Sequence, residues 1–212
     1  MIPALEEQRA TNLYHEAQFG LDAAKLMPGE YYATDRPMVL VTLLGSCVAA
    51  CLRDPELGLG GMNHFMLPES LHEAGSPLST SARYGTGAME LLIKELIRLG
   101  ARRDRLQAKV FGGGNVLPGL GATNVGERNA AFVLQYLKAQ RIPVLAQDLV
   151  DVYPRKVYFF PEDGRVLVHK LQSAHHDPVI RSEGDYRRRL AAAAWAATPG
   201  CPADTSYFRT FQ

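Results

Sequence analysis

The stretch from Val39 to Pro68, VLVTLLGSCVAACLRDPELGLGGMNHFMLP, constrains the fold more than any other part of the chain. One apolar run reaches a small-residue corner at Gly45-Ser46 and Cys47, and a second stops at Asp54-Pro55-Glu56-Leu57. An Asp followed by Pro, with Gly58 just behind, favours a type I turn with a bulge, so the chain doubles back here as a hairpin. Pairing outward from that turn makes facing residue numbers sum to about 111 or 112. Cys47 then lies opposite His64 or its immediate neighbour. In the first register the two side chains leave the same face with Cβ atoms roughly 5 Å apart. A thiol with an unperturbed pKa of about 8.5 is mostly protonated at neutral pH, and a neighbouring imidazolium is one of the few groups that turn it into a thiolate. A Cys–His couple of this kind is the minimum equipment for nucleophilic acyl chemistry.

A single Cys on an apolar strand is most often an inert core residue, and Cys51, between Ala50 and Leu52, fits that description. Cys47 differs because it follows Gly-Ser at a corner, where backbone amides can point at a ligand. Cys47, Cys51 and His64, with His72, also suggest a metal site. Four residues along a strand span roughly 13 Å, however, too far for two sulfurs to share one zinc ion at bonds near 2.3 Å. The run Gly112-Gly113-Gly114 lacks the GK[ST] ending of a P-loop and the spacing of a dinucleotide fingerprint. It reads better as a close approach of backbone to the floor of the active site, or as a tight bend.

The rest of the chain supplies a support for this hairpin. Residues 1 to 27 carry Leu21, Ala24 and Leu26 as weak hints of helix and are read as an extension. Strand patterns follow at Gly29 to Thr34 and Met38 to Leu44, and Glu69 to Ser79 has the composition of an exposed loop. From Thr80 the period changes: Met89, Leu92, Ile93, Leu96 and Ile97 recur at helical spacing, with Gly100 placed to end the helix. Leu106 to Phe111 reads as a strand, Asn124 and Glu127 have capping-box spacing for a second helix, and Pro143 to Leu149 is another strand. Lys156 to Phe160 and Val166 to Leu171 form a hairpin about Asp163-Gly164. This order predicts an α+β domain with helices packed on a largely antiparallel sheet. After Leu171 come His175-His176-Asp177, the cluster Arg187-Arg188-Arg189 and an alanine run around Trp195. That tail can hold one helix near Tyr186 to Ala197 but offers little to a core, which points to docking or disorder.

Among 212 residues the 23 basic and 22 acidic side chains nearly cancel, so no general attraction to nucleic acid or anionic membrane is expected. No apolar run approaches the roughly 20 residues needed to cross a bilayer, and the start lacks a basic-then-apolar signal pattern, so the expected compartment is the cytoplasm. Three cysteines, an odd number, fit reduced thiols better than a disulfide scaffold.

At LLGSCVAACLRD followed by GGMNHFMLP the chain resembles the CheD family of chemoreceptor glutamine deamidases. The match continues through Lys109 to Gly114, Asn124 to Asn129 and Arg155 to Phe160, and spans about residues 28 to 171. The resemblance implies a compact α/β sandwich, related in its active site to deamidating bacterial toxins, over residues 28–171, with an extension at 1–27 and a tail at 172–212. It implies Cys47 as nucleophile, His64 as base and Thr42 on the preceding strand as the orienting third group, with no cofactor and no metal. It further implies methyl-accepting chemotaxis receptors as substrates, action at receptor arrays in the cytoplasm, and a CheC-type phosphatase as partner. The expected reaction turns a protein glutamine into glutamate through a thioester, with backbone amides near Ser46 and Cys47 meeting the oxyanion. The alternatives are a non-catalytic adaptor that docks to receptors or to a phosphatase, and a transglutaminase-like use of the same thioester.

Overall fold

A computed structural model describes residues 8–67, 80–116, 125–171 and 176–196. Glu69 to Ser79 with His72, the proposed cap Asn124, His175 and Cys201 lie outside the described residues. In chain order the strands are β1 (Gln8–Arg9), β2 (Asn12–Glu16), β3 (Leu21–Leu26), β4 (Glu30–Thr34), β5 (Met38–Leu44), β6 (Val48–Asp54) and β7 (Leu59–His64). Helix α1 (Thr80–Arg98), β8 (Gln107–Gly112), α2 (Val125–Ala139), β9 (Val144–Leu149), β10 (Arg155–Phe159), β11 (Val166–Lys170) and α3 (His176–Ala196) follow.

Two sheets form. One has the order β1-β4-β7-β6-β8-β9 and the other β11-β10-β5-β3-β2. Most neighbours are antiparallel; β1 with β4, β3 with β5 and β8 with β9 are parallel. The period-2 alternation of β6 explains the layering. Val48, Ala50 and Leu52 face Met89, Leu92, Ile93 and Leu96 of α1 and Val133 and Leu137 of α2. Ala49 and Cys51 face the other way, into a second core shared with Leu26, Leu40, Leu44 and Val157 of the opposite sheet. Helices therefore cover one face of the first sheet and the second sheet covers the other, an α+β sandwich of the expected class. Among the described residues no helix is long and apolar enough to cross a membrane.

Three local expectations are corrected. Residues 8–26 hold strands rather than weak helix, and β3 is an interior strand between β2 and β5. Ala24 and Leu26 share one face of β3 while Leu21 and Ala23 share the other, the alternation of a strand buried on both sides, and the edge of β5 supplies its ladder. The hairpin register is also shifted. Cys51 faces Met62 and Val48 bridges Phe65, so facing numbers add to 113. Gly58, at φ 64°, stays inside the turn unpaired, and the ladder begins with Asp54 opposite Leu59. His64 is thus two residues out of step with Cys47, an even slip that leaves both side chains on the same face. Finally, the last helix begins ten residues before Tyr186, at His176, and it buries Val179, Tyr186 and Leu190.

Candidate active site

The chain crosses from one sheet to the other at Gly45-Ser46-Cys47, between the end of β5 and the start of β6. What shapes this corner is the fate of its three carbonyl groups. Gly45 O accepts from Gly114 N at 2.7 Å, Cys47 O accepts from Gly113 N at 2.7 Å, and Ser46 O accepts from Asn129 Nδ2 at 2.8 Å. Asn129 is itself fixed on α2 by accepting from Leu67 N at 2.9 Å. With every carbonyl drawn outward, the three N–H groups turn to one side, onto the two oxygens of a single carboxylate, which is how a backbone makes an anion-binding nest. The glycine run is required for this: a Cβ on Gly112, whose φ is 111°, would stand 2.2 Å from Cys47 O. The close backbone approach expected of Gly112 to Gly114 is therefore the observed one.

His64, at the end of β7, is held from the second sheet. Thr42 Oγ1 on β5 lies 2.8 Å from Leu26 O at the end of β3 and 2.7 Å from His64 Nδ1. A hydroxyl has one proton, and a carbonyl oxygen can only accept, so that proton goes to Leu26 O. Thr42 Oγ1 must then accept from His64 Nδ1–H. This assigns the tautomer: Nε2 carries the lone pair, and among the described residues no group hydrogen-bonds it. Thr42, His64 and Cys47 are all buried, and burial holds the imidazole neutral by pulling its pKa down from 6.5 to about 4.

The nest is filled by Glu183 of α3. Gly45 N and Cys47 N donate to Oε1 at 2.8 and 2.9 Å, while Ser46 N and Ser46 Oγ donate to Oε2 at 2.7 and 2.8 Å. The Cys47 thiol, a His64 ring nitrogen and a Glu183 carboxylate oxygen lie within 4.8 Å of one another. Burial and the adjacent carboxylate push the Cys47 thiol well above its usual range, so in this arrangement it stays protonated. Cys51 is also pushed up, by burial alone on the raising side; it lies in the same core as Cys47 but is not one of the groups within 4.8 Å of one another.

A family model described as CheD chemotactic sensory transduction matches residues 66–170. A protein of Thiobacillus denitrificans named "Probable chemoreceptor glutamine deamidase CheD" is 58% identical over 190 residues, covering 90% of this chain and 94% of its own. The chain belongs to the CheD family. Proteins with the same printed name in Methylobacillus flagellatus and a Janthinobacterium species are 58% and 56% identical, over 91% and 92% of this chain and 95% and 96% of theirs.

Against the CheD resemblance, the structure brings Cys47, His64 and Thr42 together and leaves Cys51 apart. Three contributors escaped the sequence reading: Leu26 O, Asn129 and Glu183. The first is a carbonyl with no side-chain signature, in a segment that the resemblance did not cover. The last did leave a signal. Val179, Glu183, Tyr186 and Leu190 recur at spacings of four, three and four, a helical stripe with one carboxylate set among apolar residues. Cys47, His64 and Glu183 are also residue types that ligate metals, but each Glu183 oxygen already accepts two hydrogen bonds, which uses its lone pairs. The arrangement suits oxygen-anion recognition beside a thiol and a neutral imidazole.

Proposed function

We propose that this chain hydrolyses the side-chain amide of glutamines in methyl-accepting chemotaxis receptors, giving glutamate and ammonia. The observation that carries the reading is the nest at residues 45–47 and its contents: a glutamate side chain, the product of that reaction, seated beside a thiol and an imidazole. The names of the CheD relatives support the same substrate class.

In this mechanism His64 Nε2 takes the proton of Cys47, and the thiolate attacks the amide carbon. The carbonyl oxygen becomes an oxyanion at the place of Glu183 Oε1, where the Gly45 and Cys47 amides converge, and such preorganised donors are worth on the order of 10²–10³ in rate each. His64 Nε2–H then protonates the departing nitrogen, which leaves as ammonia, and a thioester remains. Water gives a proton to Nε2 and its hydroxide attacks the thioester carbon. The thiolate leaves and regains its proton from His64, and the new acid ionises by passing a proton to ammonia. Thr42 keeps Nδ1 protonated throughout, so Nε2 is always the nitrogen that exchanges protons. A CheC-type phosphatase and the cytoplasmic receptor array are proposed as the partner and place of action on the family resemblance.

The test is mass spectrometry of cytoplasmic receptor fragments before and after incubation with the wild-type chain and with Cys47→Ala. Amide-to-acid conversion at particular glutamines by the wild-type chain alone is the expected result. Unaltered receptor that still co-purifies with the chain makes it an adaptor, and amine incorporation makes it a transglutaminase.

A further inference from the structure

Resting on the deamidase reading, we propose that α3 is a built-in product mimic: Glu183 occupies the place of the substrate side chain and keeps the site closed until a glutamine-bearing helix displaces it. Glu183 sits in the middle of the buried stripe of α3 and is only 4% exposed. Burying a carboxylate is costly unless its hydrogen bonds are replaced, and here four donors replace them. Two of those donors, Gly45 N and Cys47 N, are the ones that would receive the oxyanion. A glutamine side chain has the same carbon skeleton as Glu183 and differs by one NH₂ in place of one oxygen, so a glutamine reaching the nest from a helix meets Cys47 as Glu183 does. The carboxylate itself is inert to the thiol because it is not an electrophile, so it blocks the site without being consumed.

The remainder of α3 fits a seated but removable cover. Tyr186 packs its ring on Gly29, where a Cβ would come within 2.7 Å of it, and its hydroxyl meets that of Tyr84 on α1. Gly29 N in turn donates to His64 O at 2.7 Å, so the helix rests on the segment that carries the base. Cys47 is 0% exposed beneath this cover, and no substrate reaches it while α3 is in place. The opposite face of α3, with Arg181, Asp185, Arg188 and Arg189, is exposed. Among the described residues, the fully buried contacts of the helix are those of the stripe.

The experiment uses the full chain. In Glu183→Gln the mimic becomes a substrate in cis: Cys47 displaces ammonia from the amide carbon of residue 183, and water then cleaves the thioester. Peptide mass spectrometry should find glutamate at position 183 in this variant and glutamine there in Glu183→Gln with Cys47→Ala. In Glu183→Ala the rate on a receptor fragment should rise on the order of tenfold or more, since a substrate no longer competes with a closed state. Alkylation of Cys47 by iodoacetamide should accelerate in parallel, whereas Asp185→Ala, on the exposed face of the same helix, should match the wild-type chain in both assays. Persistence of glutamine at 183 in a variant that deamidates receptor, or equal rates and equal alkylation in the wild-type chain and Glu183→Ala, would overturn the inference. If no variant deamidates any receptor fragment but alkylation still rises in Glu183→Ala, the deamidase reading falls and the covering role of α3 stands.

Discussion

The β6–β7 hairpin and helix α3 bring side chains to within a few ångströms of each other, yet they are held there in opposite ways. Each hairpin strand has a hydrogen-bonded neighbour on both sides, β8 and β7 for β6, β6 and β4 for β7, and every residue of β7 is buried. Helix α3 makes no ladder and meets the domain along one stripe, with its other face in water. Elements with few buried contacts open at lower free energy than the sheets they cover. In this molecule, then, the geometry of the chemistry belongs to the rigid interior, and access to it belongs to a surface element.

The sharpest way to break that division is His64→Ala, made both in the native chain and in the Glu183→Ala background. Deamidation should fall by roughly 10²–10⁴ in both, the usual worth of a positioned base. Recovery of the rate on removing the Glu183 carboxylate would mean that His64→Ala had acted through access to the site, and that His64 is not the base. A smaller effect concerns pH. Burial lowers the His64 pKa from 6.5 to about 4, so between those values the unfolded chain binds a proton that the folded chain refuses. The contribution is complete above pH 6.5 and is lost as pH falls toward 4, amounting to roughly 3 kcal/mol. Urea denaturation at the two pH values should show that loss in the native chain and much less of it in His64→Gln; an equal loss in both would mean that His64 is not held neutral by the interior. Smallest is Thr42→Val. His64 Nδ1 also lies 3.5 Å from Leu26 O, which can accept its proton once the hydroxyl is gone. The rate should drop about 10- to 100-fold, as for other groups that only orient a ligand or base. A loss as large as that of His64→Ala, in a folded protein, would give the threonine a more direct part.

The legibility of this chain follows the range of its interactions. Cys47 and His64 were readable because a proline turn and two apolar runs fix a local pairing, and even a register wrong by two residues kept the pair on one face. Thr42 entered through the family resemblance, since a threonine in a strand carries no signal of its own. The partners of the site were not readable for a different reason. Leu26 O and the corner carbonyls are backbone atoms, identical in every residue, and their positions depend on how two sheets meet. Asn129 lies 83 residues from the Ser46 carbonyl that it holds, and Glu183 lies 136 to 138 residues from the amides that it fills. The tail also misled by composition: a stripe of Val179, Tyr186 and Leu190 is thin by the standards of a core, and the charge cluster beside it drew the reading toward docking or disorder.

One feature of the chain's layout bears on how such a cover would respond to its surroundings. Leu171, just after β11, is tied down by donating to Pro154 O at 2.8 Å, and only four residues separate it from the start of α3. A group on so short a tether faces its site at an effective concentration in the millimolar range, whatever the concentration of the protein. Dilution does not release Glu183, and scattered glutamine-bearing helices compete with it poorly. Helices packed side by side at comparable local density compete on even terms, so the same molecule would be quiet when free and awake where its substrates are crowded.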